Sequence, residues 1–119
     1  MAGELVPTVM FPRFTTLSGA GTYTTAPLQV TRYAELRLNV WRGPLIGTTP
    51  TILFTIQESI DRENWTTCSG TSAFDPGSET EDQETATLTK RWMRLKAVLA
   101  GTDAGVTCWA TGGLELRET

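Results

Sequence analysis

An all-β fold, a single antiparallel β-sandwich of jelly-roll type with about seven or eight short strands, is predicted by three features of the sequence. First, apolar and polar residues alternate strictly in 33–59. Ala34, Leu36, Leu38 and Val40 oppose Glu35, Arg37, Asn39 and Trp41, and Ile52, Phe54 and Ile56 alternate with Leu53, Thr55 and Gln57. Period two is the pattern of a strand with one face in a core. Second, the apolar runs recur at roughly 8–12 residue spacing, separated by Gly, Pro, Asn and Asp. Third, no comparable stretch has the 3.6-residue period of a helix.

Taken in order, residues 1–14 read as an extended arm preceding a β-sandwich domain at 15–119. Pro7 and Pro12 exclude a helix and weaken any central strand, while Val6, Val9, Met10, Phe11 and Phe14 give the arm something to bury. Such an arm crosses its own domain as an edge strand or docks on a neighbouring subunit. After the flexible Ser18-Gly19-Ala20-Gly21, the Thr-rich 21–30 suits a strand with a bend at Pro27. Residues 33–59 then read as a hairpin around the loop 42–50, whose tip carries Leu45 and Ile46. These two fold back on the domain or form a contact point for another protein.

Asp61, Arg62, Glu63 and Asn64 form a polar turn, Trp65 opens a short strand as a core residue, and 72–85 is the most polar stretch, with an acidic cluster at Glu79, Glu81, Asp82 and Glu84. Beyond a break near Lys90, Met93, Leu95, Ala97 and Leu99 alternate with Trp92, Arg94, Lys96 and Val98. The closing segment has a bulge or bend expected at Gly112-Gly113. Residues 33–56 and 91–111 echo each other: an aromatic residue, an alternating strand, a Gly-Thr turn and a second alternating strand. That suggests two similar hairpins facing one another.

Composition bounds the chemistry. At 119 residues the chain is the size of one domain. With 10 Lys and Arg against 13 Asp and Glu, no concentrated basic surface for nucleic acid is expected; Lys90, Arg91, Arg94 and Lys96 read as the polar face of a strand. The N-terminal stretch lacks the basic-then-apolar order of a signal peptide, and no run is long and apolar enough to span a membrane, so a soluble protein made in a cytoplasm, with no membrane partner, is expected. Asn64-Trp65-Thr66 matches the glycosylation pattern by chance on that reading. Cys68 and Cys108 make neither a disulfide framework nor a metal motif, and Cys108, in step with Val106 and Ala110, reads as a reduced core thiol.

The chain has no His, which removes the commonest general base, the usual triads and most zinc sites. No phosphate-binding Gly-rich motif occurs, and the carboxylates fall in turns. No enzymatic activity, catalytic residue, metal or cofactor is therefore expected. Asp61, Glu63 and Asn64, or Asp75 with residues 79–82, supply oxygen atoms suited to calcium, but at no known ligand spacing; a solvated turn is the simpler reading. Trp41, Trp92 and Trp109 fall opposite the apolar rows. They stack sugar rings, as in carbohydrate-binding modules, or lie against the arm, a loop or another subunit.

Gly47 to Thr51 forms a Gly-Thr-x-Pro-Thr turn, and residues 54–59 a strand of the type apolar-x-apolar-Gln-x-Ser. Residues 61–65 make an Asp-containing turn ending in Trp, and 91–96 an Arg-aromatic-x-Arg-apolar-Lys strand. Together these resemble small β-sandwich virion structural proteins of tailed phages, of the head decoration or cement kind. The likeness covers roughly the C-terminal two thirds and leaves the arm outside it. It implies a non-enzymatic virion component, assembled in the host cytoplasm, whose partners are the major capsid protein or other virion subunits. A homo-oligomer is expected, with contacts through Val6, Val9, Met10, Phe11, Phe14, Leu45 and Ile46. A head-tail connector or tail subunit, and a carbohydrate-binding sandwich on the virion surface, are the alternatives.

Overall fold

The computed structural model describes residues 5–117. Its organising element is one very long C-terminal strand, β8 (Trp92–Leu116), to which five of the other seven strands bind. Along one side run β1 (Leu5–Ser18), β2 (Gly21–Thr24) and β3 (Leu28–Gln29), antiparallel, from Leu5 opposite Glu115 to Gln29 opposite Trp92. Along the other side run β4 (Tyr33–Arg42) and β5 (Ile46–Ser59), from Tyr33 opposite Leu116 to Ser59 opposite Trp92. Two further strands extend the sheet: β7 (Thr80–Thr87) pairs with β4, and the short β6 (Thr66–Thr67) with β5.

The sheet doubles back on itself. All three long tracks bend at the same level, near 18–21, 43–50 and 100–105, and the turn at Thr31-Arg32 ties both ends of β8 together. The Val30 N–H donates to the Arg91 carbonyl at 2.7 Å, and the Arg117 N–H to the Arg32 carbonyl at 2.8 Å. The result is an all-β, antiparallel fold of two layers made from one curled sheet. One layer contains the first half of β8 with β2, β3, β5 and β6; the other contains its second half with β1, β4 and β7. Inward rows from both layers form a single core, with Leu36, Leu38, Val40, Ile52, Phe54, Ile56, Met93, Leu95, Leu99 and Val106 all nearly inaccessible.

The expected hairpin at 33–59 is not one. β4 and β5 never pair with each other; they are the two halves of one track that crosses from layer to layer. The echo between 33–56 and 91–111 has the same origin, since both are long strands bent at a Gly-Thr step. Gly47 and Gly101 have φ of 120° and 119°. A side chain at Gly47 would meet the Thr102 carbonyl at 2.6 Å, and one at Gly101 the Pro50 Cα at 2.8 Å. Each glycine lets its backbone approach the other bend. Gly112-Gly113, expected as a bulge, instead keeps unbroken register with both β1 and β4. Gly112 is needed there because a Cβ would collide with the Arg37 carbonyl. The last part of the polar stretch is also regular: Glu81, Asp82 and Glu84 lie along β7, an edge strand, with Glu79 just before it.

Candidate interaction surface

Residues 5–14 lie within β1, hydrogen-bonded to β8 as the edge of the domain's own sheet. Two irregularities sort their side chains. Val9 opposes Thr111 and Phe11 opposes Ala110, so Met10 is an extra residue, and both Met10 and Phe11 turn into the core, 9% and 8% exposed. Val6 and Leu45 pack against that core. The second irregularity sets Pro12, Arg13 and Phe14 against Trp109 alone, because Phe11 pairs with Ala110 and Thr15 with Cys108. Within it the Thr15 hydroxyl donates to the Pro12 carbonyl at 2.6 Å, and the Arg13 guanidinium lies 4.7 Å from the centre of the Trp109 ring. Phe14 is thrown outward at φ 65°, with 82% of its surface exposed. A bulky aromatic side chain in the left-handed region, and in water, is unfavourable on both counts. Of the apolar residues read as contacts, Val9, Phe14 and Ile46 reach solvent, at 61%, 82% and 66% exposure.

The tryptophans occupy two outer faces. Trp41 and Trp109 lie directly opposite each other across β4 and β8, half-buried. Beside them, over Gly113, is a depression of about 370 Å³ lined by Leu5, Pro7, Arg37, Asn39 and Gln83. Arg37 is held there by Glu35 and Glu115, each at 3.3 Å. On the other layer the 60–65 turn folds down as a flap. Arg62 stacks on Trp92 with its guanidinium 4.6 Å from the ring centre, and Trp65 on Arg94 at 4.2 Å. Trp65, expected in the core, is thus a surface clamp, its ring N–H bonded to the Arg62 carbonyl. Burial beneath such a flap lowers the Arg94 pKa from its ordinary value, and the flap engages the buried Gln57, which accepts from Arg94 at 2.9 Å, and Ser59, whose hydroxyl accepts the Asp61 and Arg62 N–H groups.

The carboxylates considered for calcium have other duties. Asp61 accepts the Glu63 and Asn64 backbone N–H groups, the Asn64 side-chain amide and the Ser59 hydroxyl, which hold its pKa far below the usual carboxylate range. Asp75 receives Arg42 through two nitrogens, at 2.7 and 3.0 Å, and the Gly77 N–H, and its pKa is lowered chiefly by the Arg42 contact. Arg42 is itself buried, so this pair pins the 68–79 loop to β4. No group of three or more acidic, Cys or His side chains suited to a metal occurs among the described residues. Both cysteines are buried free thiols.

Lys90 and Arg91 had been read only as the polar face of a strand. The two ends of β8 meet at one end of the molecule, and with them come Arg32, Arg62, Lys90, Arg91 and Arg117. A groove of about 540 Å³ lies there, lined by Thr31, Ile60, Thr89, Lys90, Arg91 and Arg117. These residues are scattered over nearly ninety positions of the chain, so only the doubled sheet reveals them as a cluster.

No protein-family model and no curated protein sequence matches the chain. Its fold is similar to that in the crystal structure of the PBSX exported protein XepA, with a TM-score of 0.72 at 15% identity. The similarity covers 96% of this chain and 38% of that one, so the chain spans well under half the length of XepA. At such low identity, what the two demonstrably share is the fold.

Proposed function

We propose that the chain is a phage-related, non-enzymatic structural protein, and more narrowly a capsid decoration or cement subunit that self-associates and contacts the shell through β1. The observation that carries the contact surface is Phe14: an exposed aromatic held at positive φ by a bulge in an edge strand. Strain and apolar exposure at the same residue, the most exposed apolar side chain of β1, mark a side chain kept for a partner. Two likenesses support the phage assignment: the turn and strand motifs at 47–65 and 91–96, and the fold shared with the PBSX exported protein XepA. The absence of His and the engagement of Asp61 and Asp75 in loop capping and ion pairing support a binding role over catalysis.

Immunogold microscopy of particles purified from the producing cells tests the location. Label on heads is expected, and particles without label would remove the virion reading. Phe14→Gly tests the contact. Glycine relieves a left-handed strain of about 1–2 kcal/mol, so the variant should melt at or above the wild-type temperature while binding to particles is lost. Undiminished occupancy by the variant would rule Phe14 out.

A second reading is favoured by the Trp41 and Trp109 pair beside the Asn39, Gln83 and Arg37 depression, since flat aromatics with planar polar neighbours suit sugar rings. Saturable quenching of tryptophan fluorescence by a glycan, abolished in Trp41→Ala, would favour it.

A further inference from the structure

The charges of this protein are sorted in space, and the sorted groups do not meet within one molecule. Arg32, Arg62, Lys90, Arg91 and Arg117, half of the 10 Lys and Arg residues, gather at the end where the Thr31-Arg32 turn joins both ends of β8. Glu79, Glu81, Asp82 and Glu84 lie at the far part of the β7 edge, with Glu81 opposite Trp41 and Glu84 opposite Leu38. Thr87 marks the near end of that strand. At about 3.3 Å per residue, Glu84 is about 10 Å and Glu81 about 20 Å further along, well outside ion-pair reach of the groove.

The ion pairs among the described residues join Arg37 to Glu35 and Glu115, and Arg42 to Asp75; neither cluster contributes to them. Among the described residues, two carboxylates close to the groove are committed elsewhere, and Glu63, beside Arg62, is exposed outside the groove's lining. Glu58 is buried, with one oxygen on the Thr89 N–H and the other on its hydroxyl, and Asp61 caps its own loop. Among the described residues the groove's lining therefore carries Lys90, Arg91 and Arg117, no carboxylate, and one exposed apolar residue, Ile60.

The β7 edge has a matching character. The strand pairs with β4 on one side, and on the other a single bridge, between Ser69 and Thr87, engages it near its end. Asp82 and Glu84 sit at inward-facing positions, opposite Val40 and Leu38, on an edge strand. Inward-pointing charges block the addition of another strand, so this edge rejects β-augmentation while offering carboxylates to a cationic surface. Crowding shows in the Glu84 carboxyl, which burial and the charge of Asp82 push up from its ordinary pKa.

We propose that the cationic end of one copy docks on the carboxylate-lined β7 edge of a second copy, head to tail. Two different surfaces of the same chain then complement each other, a heterologous contact that propagates into a ring or filament. This deepens the structural reading above by naming the self-association surface; it rests on that self-association and not on the identity of the particle.

Sedimentation velocity of the full chain tests it. A species larger than the monomer is expected at low salt. It should dissociate as NaCl rises from about 0.1 M to about 1 M, where the screening length falls from about 10 Å to about 3 Å. Arg32→Glu with Arg91→Glu should give a monomer at low salt, as should Glu79→Lys with Glu81→Lys, all four at exposed positions and both pairs melting like the wild type. An equimolar mixture of the two should reassemble, because each supplies the charge the other lost. If a reversal pair fails to fold, Arg91→Ala and Glu81→Ala, at exposed positions, should each weaken association about two- to fivefold.

A wild type that is monomeric at low salt, variants that assemble undisturbed, or a mixture that stays monomeric would each overturn the proposal. So would a monomeric wild type that retains a short oligodeoxynucleotide which Arg32→Glu with Arg91→Glu releases; the groove would then be a nucleic-acid site. A successful charge swap with unlabelled particles would dispose of the virion reading alone, and labelled particles with a failed swap would dispose of this contact alone.

Discussion

Cys68 and Cys108 are the most buried ionisable groups whose pKa moves by a large amount, and burial is the cause in both. It pushes the Cys68 thiol up to about 12, with the nearby charge of Glu58 adding to the effect, and the Cys108 thiol to about 11, from an ordinary value of 9.0. A thiolate is the reactive form, so both should be inert to a thiol reagent in the native protein and react fully after denaturation. Rapid modification of the native chain would contradict this. The sign of the pH effect follows: above about pH 9 the unfolded chain releases thiol protons that the folded chain keeps. Their contribution to stability is therefore complete below pH 9 and is lost as pH rises toward 11–12, by about 1.4 kcal/mol per pH unit per thiol. Denaturant titrations across that range should show a shallower decline for Cys108→Ala. The role of Cys108 was legible, because period two places it with Val106 and Ala110. Met10, Phe11 and Phe14 were not legible in the same way. Two bulges interrupt the period in β1, and a bulge is a property of the paired strand that side-chain alternation does not encode.

At the scale of elements, alternation identified strands but not their partners. The sequence at 33–59 has all the marks of a hairpin, two alternating runs around Gly and Pro, because a strand that crosses between layers needs the same breakers as one that reverses. What separates the two cases is the partner, β8, more than thirty residues away. The Gly-Thr steps were visible as an echo, and their cause is the contact between the two bends. Gly101→Ala should therefore cost roughly 2–4 kcal/mol, combining left-handed strain with a clash against the Pro50 backbone. Gly19, at φ 88° with open space where a Cβ would go, is the control, and Gly19→Ala should cost only about 1–2 kcal/mol. Equal losses in thermal melts would show that the close approach of the bends is not what Gly101 serves. The strand β7 is legible in the sequence only from Ala86 onward, as a short strand, because its earlier inward positions carry Asp82 and Glu84, charges that an edge strand tolerates and a period-two pattern reads as loop.

For the whole molecule, the all-β class and the single core were legible from periodicity and spacing, which depend on local sequence. The surfaces were not, since Arg32, Lys90 and Arg117 become neighbours only when the sheet doubles. The same doubling has a consequence for how the protein is made. The central strand is the last of the eight to leave the ribosome, and Leu5 waits for Glu115, Tyr33 for Leu116 and Ser59 for Trp92. Before β8 emerges, β1, β2 and β3 have no partner, while β4 and β5 have only β7 and β6, so folding waits for β8 and is governed by distant loop closures, the regime of milliseconds to seconds. A chain ending at residue 91 should show a random-coil circular dichroism spectrum, and adding a peptide of residues 92–117 should restore strand signal. A folded 1–91 fragment would mean that β4 and β7 suffice as a nucleus. Until β8 emerges, the nascent chain depends on Pro7, Pro12 and the acidic 79–84 stretch to keep its unpaired strands from each other.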